Sequence, residues 1–135
     1  MASAIYPKAK EQLLQAGINL SSANVKVVLV DGADYTYSTA HEFLSDVPSG
    51  GRVATSANLG SKTFTGGVFD AADTSFTAVT GDPSEILIVY VDTGTASTSR
   101  LIAYIDTVSG PASLSVTPNG GDINVTWAAG GIFAL

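Results

Sequence analysis

Cysteine is absent from this chain of 135 residues. Disulfides, thiolate metal sites and a cysteine nucleophile are thereby excluded, so hydrophobic packing must offset an ordering cost of roughly 1–2 kcal/mol per residue. Charge is scarce as well: charged residues are 13% of the chain, against about 25% in an average soluble domain. The six cations, Lys8, Lys10, Lys26, Arg52, Lys62 and Arg100, are scattered among twelve acids, for a net charge of -6. Direct nucleic-acid binding needs a clustered basic footprint, so no nucleic-acid partner is expected. Long apolar runs are missing too. The longest unbroken aliphatic and aromatic run is the six residues Ile86 to Val91, far below the ~20 needed to span a bilayer, so no membrane partner is expected. The opening "MASAIYPKAKEQLLQAG" has no apolar core behind a basic start and does not read as a secretory signal.

Residues that carry chemistry are equally sparse. His41 is the only histidine, and in "HEFLS" Ser45 stands where a second histidine would complete an H-E-x-x-H zinc helix. No G-x-S-x-G elbow accompanies it, and His41 reads as a histidine beside a capped turn with no catalytic duty. There is no G-x-x-x-x-G-K-[ST] or G-x-G-x-x-G cradle for phosphate. Asp31 and Asp34 in "DGADYTY", and Asp70 and Asp73 in "DAADTS", form two D-x-x-D pairs in expected turns. They lack the third oxygen ligand, the glycine and the terminal glutamate of an EF-hand loop, and aspartate favours turns for its own backbone hydrogen bonds. A facing carboxylate pair for glycoside hydrolysis is easily met by accident among twelve acids. The aromatics read mainly as core packing, with a sugar-stacking or partner-facing cluster around Tyr35 and Tyr37 as the alternative. The sequons Asn19-Leu20-Ser21 and Asn124-Val125-Thr126 arise by chance in a chain so rich in Ser and Thr. No catalytic residue, cofactor or metal ligand is expected.

Hydrophobic residues make up 45% of the sequence, and the mean hydropathy is +0.29. A length of 135 residues suits a single domain able to bury its own core. Residues 1–20 form an expected arm and helix, with Pro7 in the first turn, Leu13 and Leu14 on an apolar face and Gly17 placed to end it after Ala16. Thr39 and Glu42 have the spacing of a capping box for one more helical turn over Ala40 to Ser45. The remainder holds nine strand-like stretches, expected to give about eight short strands: "VKVVLVD", "RVATSANL", "KTFTG", "GVFDA", "TSFTAV", Ile86 to Val91, Leu101 to Ile105, "SLSVT" and "DINVTWA". Turn signals at Gly66-Gly67, Gly81-Asp82-Pro83, Gly110-Pro111 and Pro118-Asn119-Gly120-Gly121 separate them, and the expected fold is a mainly β, antiparallel, jelly-roll-like sandwich. "TSFTAV" and "DINVTWA" alternate, with Phe76 and Ala78, or Ile123, Val125 and Trp127, on one face. Ile86 to Val91 and Leu101 to Ile105 do not alternate, so both of their faces must be covered. One face is expected to meet an opposing sheet, the other the N-terminal helix or a neighbouring subunit.

The stretches "YPKAKEQLLQAGINLSSANVKVVLVD", "YTYSTAHEFLSDVPSGGRVATSANL", "TGGVFDAADTSFTAVTG", "VDTGTASTSRLIAYID" and "VTPNGGDINVTWAAGGIFAL" cover nearly the whole chain. Together they resemble a family of small virion structural proteins encoded by tailed bacteriophages. The resemblance implies a non-enzymatic particle component, assembled in the host cytoplasm: a head decoration or cement protein bound to the major capsid protein, with a tail or fibre component as the alternative. Apart from the resemblance, a receptor- or carbohydrate-binding module is the other expected class. A neutral surface protects poorly against association, and apolar chain ends are unusual, since termini normally fray and carry polar residues. Ile5, Tyr6, Leu13, Leu14, Ile132, Phe133 and Leu135 are therefore the expected contact residues. Self-association is expected, with a trimer favoured over a dimer.

Overall fold

Val, Ile and Tyr fill the central runs of the sequence, and β-branched and aromatic side chains suit a pleated, doubly covered surface. The computed structural model describes residues 3–108 and 112–135. The turn expected at Gly110-Pro111 lies outside them. In chain order the elements are β1 (Ala4–Ile5), α1 (Pro7–Leu14), β2 (Val25–Val30), β3 (Arg52–Thr55), β4 (Val68–Phe69), β5 (Thr74–Phe76), β6 (Ile86–Val91), β7 (Leu101–Ile105), β8 (Thr107–Val108), β9 (Ala112–Ser113), β10 (Ile123–Val125) and β11 (Phe133–Ala134). Short 3-10 turns occupy Leu44–Asp46, Ser49–Gly51, Thr65–Gly67 and Ala96–Thr98. The protein is thus mainly β. Its principal sheet is antiparallel and five-stranded, in the order β1-β7-β6-β2-β3, and the other strands form the two-stranded pairs β10-β5, β11-β4 and β8-β9.

The register explains why the central runs do not alternate. Val28, Ile88 and Tyr104 lie abreast on one face of the principal sheet, and Leu29, Leu87 and Ile105 abreast on the other. Tyr6 covers the first face: its N–H donates to the Ile102 carbonyl (2.9 Å), and its ring packs on Tyr37, which meets Tyr104 edge-on. Leu114, Ile123, Val125, Trp127 and Ile132 approach Leu29, Leu87 and Ile105 on the second. Both covers come from the same chain. Fully burying an Ile, Leu or Val stabilises by roughly 1.5–3 kcal/mol, so β2, β6 and β7, buried almost throughout, carry much of the hydrophobic drive to fold. A bulge between Val89 and Tyr90 shifts the β6-β7 register, which adds local twist.

Several local expectations need correction. The helix ends at Leu14, not Ala16. The Ala16 N–H donates to the Leu13 carbonyl and the Gly17 N–H to the Gln12 carbonyl, the two bonds of a Schellman end. The left-handed residue is therefore Ala16, at φ 59, and not the glycine beside it. The second helical segment is a 3-10 turn at Leu44–Asp46, and Thr39 does not cap it. Asp46 does the corresponding work by accepting the N–H groups of Glu42 (2.8 Å) and Phe43 (3.0 Å). In "TSFTAV" the strand stops at Phe76, because Ala78 takes φ 48 and donates its N–H to the Asp122 carboxylate. Ala78 is exposed and Val79 is buried in its stead. "KTFTG" contributes a single bridge, Thr63 to Asp70, and "SLSVT" is a strand only at Ser113, with a bridge from Val116 to Ser84.

Candidate functional site

Two concave surfaces flank the principal sheet. The larger has a volume of about 650 Å³ and is walled by Leu29, Leu87, Ile105, Leu114, Ile123, Val125, Trp127 and Ile132. β10 and the chain leading to β11 supply its outer wall because Ile123, Val125 and Trp127 alternate inward, as the sequence pattern predicts. Among the described residues no charged or imidazole side chain lines it. The indole Nε1 of Trp127 is buried with no hydrogen-bond partner among the described residues.

The second surface, about 590 Å³, lies on the opposite face and is lined by Tyr35, Tyr37, Tyr104, Glu85 and Asp106, with Ser113 and Ser115 at its edge. β6 and β7 are antiparallel neighbours, with Leu87 opposite Ile105, so the residue before β6 and the residue after β7 arrive together. That is what places Glu85 near Asp106. The Glu85 carboxylate accepts the Gly32 N–H (2.9 Å), which holds it at the rim, and Asp106 accepts the Ser3 hydroxyl. Tyr37 is 5.1 Å and Tyr35 6.4 Å from Tyr104, ring centre to ring centre. Burial pushes the Tyr104 hydroxyl up, and the neighbouring Asp106 charge adds to it.

His41 sits behind this cluster. Its Nδ1 is 2.8 Å from the Tyr35 hydroxyl, which is 2.8 Å from the Tyr6 hydroxyl, a group with no solvent exposure. Burial pushes Tyr35 up to about 12, and burial followed by the bond to Tyr35 pushes Tyr6 up further. Both remain neutral hydroxyls near pH 7. Among the described residues no serine hydroxyl joins the His41 ring, so the chain Tyr6, Tyr35, His41 ties the N-terminal arm to the loop before β3.

Asp31 and Asp34 do converge, and Asp82 joins them: oxygens of the three carboxylates lie within 4.8 Å of one another, with Asp31 buried and the other two exposed. Asp31 also accepts the Ala33 N–H (2.8 Å), the turn bond expected of it. Calcium takes six to eight oxygens from carboxylates, carbonyls and waters, and this group could offer carboxylate oxygens from three residues. Asp70 and Asp73 spend their carboxylates on backbone N–H groups, those of Ala71 and Trp127.

The expected contact residues divide. Tyr6 is committed to the core, and Ile5, Leu13, Ile132 and Phe133 pack partly against it. Phe133 stacks on Phe69 at 5.2 Å, and Phe64 leans on the same ring. Leu14 is 90% exposed and Leu135 74% exposed, with Phe64 at 41%. Leu135 donates its N–H to the Gly67 carbonyl, so it and Phe64 flank the same short loop. The sequence reading missed the grouping of Glu85, Asp106 and Tyr104. The signal lay in the two-faced strands themselves, since an antiparallel pair brings the acids that bound it to one end.

No protein-family model matches the chain, and no curated protein matches its sequence.

Proposed function

We propose that this chain is a structural component of a tailed-phage virion, a capsid decoration or cement protein that binds the major capsid protein and self-associates, as a trimer, on the head surface. The observation that carries this reading is the exposure of Leu14, Phe64 and Leu135 on a protein with so few charged residues. Large apolar side chains left out of a well-filled core mark contact surface. The resemblance expected from the sequence stretches points the same way, although no family model or curated protein matches them. In this proposal the principal sheet is one layer of a jelly-roll-like sandwich, with β5 and β10 belonging to the second. A cement protein needs no catalytic centre: many weak copies, each making contacts present only in the assembled shell, raise its stability by mass action and multivalency.

Quantitative mass spectrometry of purified particles tests the reading. A decoration protein is expected in high copy, tracking the major capsid protein and present on DNA-filled heads. A low copy number confined to tails would replace it with the tail or fibre reading. Absence from particles would overturn both. The tyrosine-lined groove favours a second reading, a receptor-binding module, which predicts low copy number together with binding to host cells.

A further inference from the structure

We propose that Asn119-Gly120 is a site of spontaneous deamidation that the fold holds closed, and that its rate reports opening of the end of the β5-β10 ladder. The chain has five asparagines, and the other four precede Leu or Val, whose side chains shield the backbone nitrogen that must attack. Glycine has no Cβ and leaves that nitrogen open. Asn119 and Gly120 are both exposed, in the turn leading into β10. In the reaction, base removes the Gly120 amide proton, the nitrogen forms a bond to Asn119 Cγ, and the Cγ–Nδ2 bond breaks to release ammonia. Water then opens the cyclic imide at either carbonyl and leaves aspartate or isoaspartate. The net change is amide plus water to carboxylate plus ammonium.

The structure withholds both reacting groups. The Gly120 N–H donates to the Val79 carbonyl (2.8 Å), so the nitrogen is not free to give up its proton. The Asn119 Oδ1 accepts the Gly121 N–H (2.9 Å), which fixes the amide in a turn of its own. Val79 is buried and donates its own N–H to the Gly121 carbonyl (3.0 Å), while the Ala78 N–H donates to the Asp122 carboxylate (2.9 Å). These bonds continue the ladder in which Phe76 faces Ile123. Ring closure needs the Gly120 bond broken, so it proceeds only from molecules in which this end has opened locally. The product then keeps it open. Isoaspartate adds a methylene to the main chain between residues 119 and 120, which puts Gly120 and Gly121 out of register with Val79. Either product adds a negative charge to a chain already at -6. This inference concerns the chemistry of the turn and stands whatever the chain assembles with.

The test incubates the full chain in mildly alkaline buffer with and without urea, beside a synthetic peptide of residues 115–123. Peptide mass mapping locates deamidation, and methyltransferase labelling reads isoaspartate. The peptide and the urea-unfolded chain are expected to react at Asn119 at similar rates, and the folded chain at least about tenfold more slowly. Asp122→Ala removes the acceptor of the Ala78 N–H without touching a reacting group. It should raise the rate of the folded chain relative to a peptide carrying the same substitution. Asn119→Asp keeps an oxygen for the Gly121 N–H and should abolish the mass gain at this position with little change in melting temperature. Equal rates in the folded chain and the peptide would overturn the protection. Absence of reaction at Asn119 in urea, or reaction centred on another asparagine, would overturn the site. An unchanged relative rate in a folded Asp122→Ala chain would overturn control by the ladder end. The comparison of folded chain with peptide on the unaltered sequence decides the matter even where the variant folds poorly.

Discussion

Ala16 shows how a single residue departs from what its neighbours suggest. It holds the left-handed position of the Schellman end at φ 59, one residue before a glycine that would occupy it without strain. A residue with a Cβ carries a steric penalty there that glycine avoids. Ala16→Gly should therefore stabilise the protein by about 0.5–1 kcal/mol, read as a higher urea midpoint at unchanged slope. A lower midpoint would mean that the helix end is held otherwise. Tyr6 illustrates the opposite case. Ahead of Pro7 its position suggests a terminal side chain available for contacts, yet this single aromatic of the arm is fully buried and is the far end of the His41 chain.

At the scale of elements, the two chain ends are strands that complete sheets. β1 pairs with β7, and β11 with β4. Gly131 makes the second docking possible: it takes φ 100, and a Cβ there would run into the Val68 side chain. Removing residues 132–135 deletes β11 and its stack on Phe69. Full burial of a Phe or Ile stabilises by roughly 1.5–3 kcal/mol each, and since Ile132 and Phe133 are only partly buried a total loss of about 2–3 kcal/mol is expected. The melting temperature should fall at every protein concentration. Leu135→Ser touches only exposed surface and should spare the melting temperature while weakening the proposed assembly, read by sedimentation. A truncated chain that melts normally would show that β11 does not depend on β4.

At the scale of the whole molecule, stability should decline at both extremes of pH. Burial opposes ionisation of Asp46, but the N–H groups of Glu42 and Phe43 outweigh it and bring its carboxyl below the usual range. The Lys26 ammonium and the Gly94 N–H lower Asp92. A carboxyl lowered on folding stabilises above its unfolded pKa of about 4, and that contribution is lost as pH falls through the lowered value. The tyrosines act at the other end. Tyr6, Tyr35, Tyr90 and Tyr104 are all raised, first by burial. Their neutral forms leave stability intact below about pH 10, and it declines as pH rises toward the folded values because the unfolded chain loses those protons first. In an alkaline titration the tyrosinate absorbance of these residues should therefore appear together with loss of near-ultraviolet circular dichroism. Full ionisation ahead of unfolding would contradict the burial of this cluster.

The sequence alone determined the strand-rich character, the positions of β2, β6 and β7, the inward alternation of Ile123, Val125 and Trp127, and the need for cover on both faces of the central strands. These follow from periodicity, which is a local property: side-chain direction along a strand is set by the neighbouring residues. Where each strand stopped was less legible, as Ala78 and the single bridge at Thr63 show, because hydrogen-bond pairing and not propensity ends a strand. Only the tertiary structure decided which segments provide the cover, that Tyr6, Tyr35 and His41 form one hydrogen-bonded chain, and that Asp82 joins Asp31 and Asp34. It also placed Glu85 and Asp106 beside three tyrosines. Those groupings bring together residues far apart in the chain, and their meeting depends on sheet order and register, which result from the packing of all the strands at once.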